Sequence, residues 1–265
     1  MFFDVKKIGI IADLLNPEAM LFKEESLKKL NFVDLNLNPS LANSVEILLV
    51  LGGDGFLLHV VHQFLSFDLK IYGINYGNLG FLLNSQCSVE KIMENISQAK
   101  EEKLKLLKAK ITTEEKVFYS YAMNEVSLFR ESGQVAKIKI YVDGILRMEE
   151  LASDGVVLST AAGSTAYNFS LHGPIFSPEA NVLSLCPVSP FRPRHWRGAL
   201  ILDNSKVLFE ALDVKKRPVL ATADFHNFPG VKSLEVSVCN KKSVTLLFDK
   251  NTSLKEKILA EQFLI

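Results

Sequence analysis

The sequence contains little cysteine, and its three cysteines argue against two classes of protein. Cys87, Cys186 and Cys239 are odd in number and far apart, which argues against a disulfide framework and against a cysteine metal site. We expect each to be a small, buried, apolar side chain in a reducing compartment. The sequence also lacks the Gly-x-x-x-x-Gly-Lys-Ser/Thr pattern, which excludes a phosphate loop of that type.

The sequence also lacks an excess of either charge and any long apolar run. Its 30 basic and 30 acidic residues cancel, so no global positive field favours a nucleic-acid partner. No apolar run approaches the length of about 20 residues that spans a bilayer, which predicts no membrane partner. Residues 1–7 lack the basic-then-apolar order of a signal peptide, and we therefore expect a cytoplasmic protein.

A glycine-rich turn around one carboxylate is the most informative segment that the sequence does contain. The apolar run Ile47–Leu51 predicts a buried strand, Gly52-Gly53-Asp54-Gly55 follows it directly, and a helical pattern comes next. Such a turn offers free N–H groups and the positive end of a helix to an anion. Asp54 is unexpected there, because a carboxylate repels phosphates unless it accepts a proton or holds a metal. The alternative is that Asp54 is simply the N-cap of the helix.

Residues 1–102 alternate strand and helix patterns, which predicts a Rossmann-like α/β domain with a parallel sheet. Ligands of such sheets bind at the carboxyl ends of the strands, where the glycine-rich turn and the segment 75–81 lie. The predicted strands are 7–12, 33–37, 45–51 and 69–74. The predicted helices begin at Asn16-Pro17, at Gly55 and at Val89, and the last of them runs to Lys103.

Residues 103–249 show many short period-two patterns, which predict a β-sandwich-like second domain. The predicted strands are 104–111, 117–129, 136–142, 156–159, 199–202, 206–211, 233–238 and 244–248. One helix is predicted within this domain, over residues 163–171. The tail, 250–265, is predicted to be a short helix with an apolar end that packs back on the body or on a neighbouring subunit.

Three polar clusters stand out in the second half. Asn124-Glu125 combines an amide with a carboxylate, a pair that suits a base or a sugar. Asp154-Gly155 precedes a buried strand. The segment 159–170 places small hydroxylated residues around Gly163 and leads into a helix, so it offers donors to a phosphate or a ribose. Taken alone, each cluster is more typical of an ordinary structural feature than of a binding site: a strand end or turn for Asn124-Glu125, a turn for Asp154-Gly155 and a capped helix for 159–170.

Together these segments resemble the NAD kinases, which phosphorylate the 2′-hydroxyl of the adenosine ribose of NAD. The resemblance runs in order over about residues 5–230. The Gly-Gly-Asp-Gly turn alone also resembles lipid kinases and phosphofructokinases, whereas the later Gly-Ser-Thr-Ala-Tyr segment singles out the NAD kinases. The segments that carry the resemblance are Gly52–Gly55, Asn75–Leu82, Asn124-Glu125, Ser153–Gly155 and Gly163–Tyr167.

The resemblance implies a role for each matched residue, in a site between the two domains. Asp54 would be the general base for the ribose hydroxyl, and Gly52, Gly53 and Gly55 would form the loop for the phosphate donor. Asn124 and Glu125 would hold the adenosine portion. The residues implied to contact NAD are Asp54, Gly55, His59, Asn124, Glu125, Lys137, Ala152, Asp154, Thr165, Ala166, Tyr167, Asn168, Phe169, Ser170 and His226.

The resemblance also implies the partners of the chain. NAD and ATP would be the substrates, and a divalent cation, Mg²⁺, would neutralise the transferred phosphoryl group. Nucleotide phosphates and water would hold this cation, so no metal ligands from the protein are expected. The family forms homodimers or homotetramers in which neighbouring subunits complete the NAD site.

The sequence departs from the family pattern at four places. Phe56 stands where a threonine usually follows the glycine-rich turn, and Ala161-Ala162 replaces a usual Pro-Thr. His172 replaces a glycine, and Ala152 stands where some members have a basic side chain. These departures predict altered affinity for the phosphate donor and leave the proposed base in place.

Two other functions stay open on the sequence alone. One is a regulator that binds NAD or NADP but no longer binds the phosphate donor, because of the changes at Phe56 and Ala161-Ala162. The other is a kinase of a different substrate within the wider Gly-Gly-Asp-Gly group. The sequence does not show whether NADH is accepted as well as NAD, or whether polyphosphate can replace ATP as the donor. It also leaves open whether the assembly is a dimer or a tetramer, and whether NADP or NADPH inhibits it.

Overall fold

A computed structural model describes residues 8–263, and the chain divides into two compact units. Unit 1 takes in the chain up to Leu104 and resumes at Val244, whereas unit 2 is Lys105–Ser243. The sequence placed the corresponding boundaries after residues 102 and 249 and gave the tail separately. Lys7, at the start of the first predicted strand, and the last two residues of the apolar tail lie outside the described residues.

Unit 1 contains a parallel sheet, as predicted. The strand order is β2-β1-β3-β4, and residues 244–248 at the end of β16 pair in parallel with β4. Every residue of β3 is buried, which is typical of a central parallel strand. The strands are β1 (Ile8–Ala12), β2 (Val33–Asp34), β3 (Ile47–Gly52), β4 (Lys70–Asn75) and the last part of β16 (Val231–Phe248).

Two helices of unit 1 begin where the sequence predicted, α2 begins one residue earlier, at Asp54 instead of Gly55, and one helix is shorter than expected. Asn16 caps the first helix by accepting a hydrogen bond from the amide of Ala19 (3.0 Å), with Pro17 at the first helical position. The helix predicted to reach Lys103 ends at Gln98, because its buried face stops at Ile96 and a strand starts at Lys100. The helices are α1 (Pro17–Leu30), α2 (Asp54–Phe64) and α3 (Val89–Gln98).

Unit 2 is built from antiparallel strands, and the predicted sandwich-like domain is confirmed. One sheet has the order β12-β11-β10-β7-β14-β15; in the other group β13 pairs with β16 and β8, β8 pairs with β9, and β5 pairs with β6. Strands of both groups bury their apolar residues in one shared cluster. The strands are β5 (Lys100–Thr113), β6 (Val117–Ala122), β7 (Glu125–Arg130), β8 (Ala136–Val142), β9 (Ile145–Ser153), β10 (Gly155–Ser159), β11 (Val182–Val188), β12 (Ala199–Leu202), β13 (Val207–Ala211), β14 (Val219–Ala223), β15 (His226–Phe228) and residues 231–243 of β16.

Several predicted elements of unit 2 are corrected by the structure. The strand predicted over 117–129 is two strands, because the chain turns at Met123 and Asn124. The strands predicted at 233–238 and 244–248 are one strand of 18 residues. The predicted helix 163–171 is a 3₁₀ turn, Ala162–Thr165, followed by α4 (Tyr167–Ser170). Strands β9, β11, β14 and β15 were not predicted, and in β11 Ser184 and Pro187 interrupt the apolar pattern.

The tail folds as α5 (Leu254–Glu261), which belongs to unit 1. Ser253 caps it by accepting a hydrogen bond from the amide of Glu256 (3.1 Å). Leu254 and Ile258 are buried one helical turn apart, so one face of α5 packs against the unit.

Candidate functional site

The glycine-rich turn of unit 1 packs against the loop that follows the neighbouring strand. Gly52 pairs with Asn75 at the carboxyl ends of β3 and β4, and the carbonyl of Gly52 accepts a hydrogen bond from the amide of Tyr76 (2.9 Å). A Cβ added to Gly77 would lie 2.9 Å from the Cα of Gly53, so the close approach of the two loops requires glycine there. The two segments that the sequence placed at neighbouring strand ends are therefore in contact.

Asp54 does not cap its helix, and the N-cap alternative is wrong. Gly53 occupies the N-cap position of α2 without a side-chain hydrogen bond. The Asp54 carboxylate instead accepts hydrogen bonds from two backbone amides of the next loop, with Oδ2 at 2.8 Å from the Phe81 nitrogen and Oδ1 at 2.9 Å from the Leu82 nitrogen. The carboxylate is therefore held by the fold in one orientation, and each of its oxygens keeps a further acceptor site.

Gly55 is a glycine that the packing of the protein does not require. A Cβ added there meets nothing within 4 Å, and the residue is exposed in the first turn of α2. Glycine weakens a helix relative to alanine, so its presence here indicates a need for space outside the fold. Phe56, the first departure from the family pattern, turns back on Gly52, where an added Cβ would lie 2.6 Å from its ring. The bulky side chain is thus accommodated by the first glycine of the turn.

The Asn124-Glu125 pair in unit 2 is held through its backbone. The carboxylate of Asp224 accepts hydrogen bonds from the amides of Met123 (2.7 Å), Asn124 (2.9 Å) and Glu125 (3.2 Å). A Cβ added to Gly163 would lie 2.3 Å from the carbonyl oxygen of Asn124, so Gly163 must be glycine for the two segments to meet. The structure thereby brings the Gly-Ser-Thr-Ala-Tyr segment to the Asn-Glu pair.

The side chains of this pair have acceptor atoms that the described chain does not satisfy. Oδ1 of Asn124 and Oε2 of Glu125 are buried, and no group within residues 8–263 donates a hydrogen bond to either. Burial, and then the neighbouring charge of Asp224, raise the pKa of Glu125 to about 8. Unpaired buried polar atoms cost free energy and are uncommon, so both atoms are suited to donors of a bound molecule.

Asp154 and Tyr167 lie near the same pair. The carboxylate of Asp154 forms an ion pair with Arg130, and the ring of Tyr167 packs 5.8 Å from that of Phe129. Burial raises the pKa of the Tyr167 hydroxyl, and the negative charges of Asp154 and Glu125 raise it further. Three predicted residues of unit 2 therefore share one electrostatic environment.

The predicted segment 165–170 combines exposed and buried side chains. Phe169 and Ser170 are exposed, as is Tyr167. Asn168 is fully buried and uses its side chain within the fold, donating to the carbonyls of Ser164 (3.1 Å) and Pro174 (3.0 Å). The side chain of Thr165 is close to the carbonyl of Ala162, and the backbone turns at Ala166.

The remaining predicted residues lie on strands of unit 2 or on a helix of unit 1. Lys137 faces Ala152 across β8 and β9, and its ammonium forms an ion pair with Glu150 at 2.8 Å. Ala152 is buried, and its carbonyl accepts hydrogen bonds from the amides of residues 191 and 192. His226 lies on the edge strand β15 with its ring 4.4 Å from that of Phe225, and His59 is exposed on α2.

Sequence reasoning missed three residues that organise these groups: Asp224, Arg130 and Lys257. Asp224 is about one hundred residues from the amides that it binds, and no local pattern gives such a pairing. Its backbone φ of 52° is the left-handed conformation that Asp tolerates better than most residues, a feature that the sequence does not reveal. Lys257 lies in the tail helix and donates hydrogen bonds to the carbonyls of Gly80 and Leu83, beside the amides that hold Asp54.

Between residues 8 and 263, no group of three His, Cys, Asp or Glu side chains could hold a metal ion. No helix within the same range is both long and apolar enough to cross a membrane. Two cavities of about 660 and 410 Å³ lie in unit 2, and neither is lined by a residue predicted for the site.

Two family models match most of the chain. The ATP-NAD kinase N-terminal domain matches residues 13–103, and the ATP-NAD kinase C-terminal domain matches residues 123–248. The first match contains the glycine-rich turn and the loop that holds Asp54. The second contains the Asn124-Glu125 pair, Asp154, the segment 165–170 and Asp224.

Curated relatives and solved structures agree with these matches. Proteins named NAD kinase from Rickettsia peacockii and Rickettsia africae are 40% and 44% identical to this chain over 261 residues, which is 98% of this chain and 99% of each relative. A yeast NADH kinase complexed with NADH superposes with a TM-score of 0.81 at 19% identity, over 98% of this chain and 87% of its own. An Archaeoglobus fulgidus NAD kinase in complex with ATP gives 0.73 at 21% identity, over 96% and 97%. At these identities the two structures establish the fold.

Proposed function

Because this chain belongs to the NAD kinase family, we propose that it transfers the γ-phosphoryl group of ATP to the 2′-hydroxyl of the adenosine ribose of NAD, giving NADP. The observation that carries the proposal is the pair of buried acceptors, Asn124 Oδ1 and Glu125 Oε2, which have no donor among the described residues. The adenosine part of a dinucleotide carries suitable donors, an exocyclic amine and ribose hydroxyls. Asn124 and Glu125 would hold this part of the substrate.

Asp54 is proposed as the general base. A secondary alcohol is a weak nucleophile near neutral pH, so a positioned carboxylate that accepts its proton speeds the attack on the γ-phosphorus. The amides of Phe81 and Leu82 fix the Asp54 carboxylate and leave acceptor capacity on both oxygens. The proton would move from the 2′-hydroxyl to one of these oxygens as the new O–P bond forms and the bond to the departing ADP breaks.

The glycines around Asp54 are proposed to admit the phosphates of the donor. The first turn of α2 has amides without helical partners and lies at the positive end of the helix dipole, which favours an anion. The open space at Gly55 supports close approach by a ligand. When bound, Mg²⁺ would neutralise charge on the phosphates. The phosphates and water would hold it, so the residues present suit a cation that arrives with ATP.

The other predicted residues complete the proposed NAD site. Asp154 and Tyr167 would contact the substrate from beside Glu125, and the exposed members of the segment 165–170 would line the same region. His59, Lys137, Ala152 and His226 are proposed as further contacts. We propose a homo-oligomer as well, which the half-exposed Leu200 and Leu202 on the edge strand β12 support; sedimentation of the purified protein would test it.

An assay for NADP tests the proposal. Purified protein is incubated with Mg²⁺, ATP and NAD, and NADP is detected with an NADP-specific dehydrogenase; parallel reactions replace NAD by NADH or ATP by polyphosphate. We expect NADP from ATP and NAD. Tight binding of NAD without NADP formation would instead identify a regulator, and the absence of both would indicate a kinase of another substrate.

A further inference from the structure

Lys257 of the tail helix lies on the buried face of α5. Leu254 and Ile258 on the same face are each 1% exposed, which places Lys257 between two anchored apolar residues. Its ammonium lies 5.8 Å from the centre of the Phe248 ring, a favourable cation–π distance. Neither family model reaches this helix, since the second match ends at residue 248. The family matches therefore assign Lys257 no role.

The ammonium of Lys257 holds a single turn of the loop after β4. It donates a hydrogen bond to the carbonyl of Gly80 at 2.9 Å and a second to the carbonyl of Leu83. The amide of Leu83 also donates to the carbonyl of Gly80 (3.3 Å), so residues 80–83 form a tight turn. Gly80 adopts a φ of 72°, and a Cβ on it would clash with Asn75, so this turn needs glycine at its first residue.

The same turn holds the proposed base. Its two central amides, those of Phe81 and Leu82, donate to the carboxylate of Asp54. The carbonyl of Gly80 and the amide of Phe81 belong to one planar peptide group, whose oxygen and hydrogen point in opposite directions. That peptide group therefore lies between the ammonium of Lys257 and the carboxylate of Asp54, and each hydrogen bond polarises the group in the sense that strengthens the other.

The charges agree with this arrangement. Burial lowers the pKa of the Lys257 ammonium, while the carboxylates of Asp54 and Asp249 act in the opposite direction. Both carboxylates lie in unit 1 with Lys257. Asp249 also accepts a hydrogen bond from the hydroxyl of Tyr72, which fixes its position in the unit. The ammonium is thus held by two carbonyls and is favoured by two nearby negative charges.

We propose that Lys257 is a positioning residue for the phosphoryl transfer: it clamps the 80–83 turn and thereby holds the Asp54 carboxylate in its reactive orientation. This inference rests on the proposed function. It gives the C-terminal helix a part in the reaction without contact to either substrate.

The test compares Lys257→Met, which keeps the apolar stem and removes the charge, with Lys255→Met on the exposed face of the same helix. We expect Lys257→Met to lower kcat by about 10- to 100-fold, the loss that misplacement of a reacting group by about 1 Å produces. KM for NAD and for ATP should stay within about threefold of wild type, because Lys257 acts on the Asp54 carboxylate through the turn. Lys257→Arg should recover part of kcat, since it restores a cation to the same carbonyls. Lys255→Met should resemble wild type.

A second measurement follows the turn without using activity. Hydrogen exchange of the Phe81 and Leu82 amides, followed by NMR on the whole protein, should be at least about tenfold faster in Lys257→Met than in Lys255→Met, because the turn opens locally. Unchanged exchange and unchanged kcat in a folded Lys257→Met protein would overturn the inference while wild-type NADP formation keeps the proposed function. If wild type makes no NADP, the proposed function fails, and exchange alone decides whether Lys257 holds the turn.

Discussion

Each unit contains one carboxylate of the proposed site, and the two carboxylates differ in their hydrogen bonding. In unit 1, both oxygens of Asp54 accept backbone hydrogen bonds from the neighbouring loop. In unit 2, Oε2 of Glu125 is buried without a donor from the described chain, and burial raises its pKa to about 8. A carboxylate that is satisfied and oriented suits reaction at a fixed place, whereas one that lacks a donor suits recognition. This difference agrees with the proposed roles, Asp54 as the general base and Glu125 as a residue that binds the substrate.

The largest effect is expected at Asp54. Asp54→Asn removes the base and turns an NH₂ group toward one of the two backbone amides. The rate of NADP formation should fall by about 10²- to 10⁴-fold, the contribution of a general base. The unmatched amide should also lower the free energy of unfolding by about 1–3 kcal/mol. Initial rates and thermal unfolding measure the two effects.

A control separates chemistry from folding at this position. Asp13 follows β1 of the same sheet, and its Oδ1 accepts a hydrogen bond from the amide of Leu15 (3.0 Å). Asp13→Asn therefore makes the same chemical change to a carboxylate that also binds backbone, and it should leave the rate nearly unchanged. A wild-type rate in folded Asp54→Asn protein would show that Asp54 is held by the loop for the sake of the fold alone.

The next effect is expected at Gly55, where stability and activity should move in opposite directions. Gly55→Ala adds a methyl group that meets no protein atom within 4 Å, so the free energy of unfolding should rise by up to about 1 kcal/mol through helix propensity. NADP formation should fall by about tenfold or more, because the methyl group occupies ligand space. Gly133→Ala, also free of contacts within 4 Å but outside any helix, is the control for the rate. Equal rates for the two variants would mean that no ligand approaches Gly55.

A smaller effect is expected at Glu125, with a distinct dependence on pH. Glu125 is mostly protonated at pH values below its pKa of about 8. If ribose hydroxyls donate to the ionised carboxylate, NAD binding at those pH values must displace the proton of Glu125. The affinity of wild type should therefore rise with pH and level off above pH 8, with proton release detectable by calorimetry in buffers of different ionisation enthalpy. Glu125→Gln should bind NAD about tenfold more weakly at pH 8, having lost a charged hydrogen bond, and should show no such rise. A wild-type pH profile in Glu125→Gln would assign the binding proton to another group.

In the ligand-free protein, the dependence of stability on pH gives an independent measurement of Glu125. The pKa of Glu125 is higher in the folded chain, about 8, than its ordinary value of 4.5. Its contribution to stability is therefore complete below pH 4.5 and is lost as the pH rises to about 8. Glu125→Gln should flatten this part of the dependence of Tm on pH.

The smallest effect is expected on stability, at a position of unit 2 that has the same left-handed backbone conformation as Gly80 in unit 1. Unit 1 uses glycine at the left-handed position Gly80 (φ 72°), whereas unit 2 places a side chain at His172 (φ 59°). The family pattern has glycine there, so this departure carries backbone strain. His172→Gly should raise the free energy of unfolding by about 1 kcal/mol, the order of the cost of a side chain in this conformation. Thermal unfolding measures it, and a lower Tm would indicate that His172 makes contacts worth more than the strain.

The contrast between the two carboxylates also shows how far the sequence reaches. The buried apolar run before the glycines predicted β3, and the alternation of patterns predicted the parallel sheet, because both signals are local. The partners of Asp54 are 27 and 28 residues away, and those of Asp224 about one hundred, so no periodicity predicts them. The resemblance supplied Asp54, Asn124 and Glu125 as site residues. Only the tertiary contacts distinguish a satisfied carboxylate from one that lacks a donor.

The long strand β16 has a consequence for biosynthesis. Its last five residues, 244–248, include the parallel partners of β4, and they are translated only after the whole of unit 2. Until then β4 is an unprotected sheet edge on the nascent chain, prone to pairing with other chains. Unit 2 is contiguous and can fold during synthesis, while unit 1 is completed last. Lys257 emerges after this strand, so the turn that holds Asp54 gains its contact with the ammonium only once the parallel sheet can close.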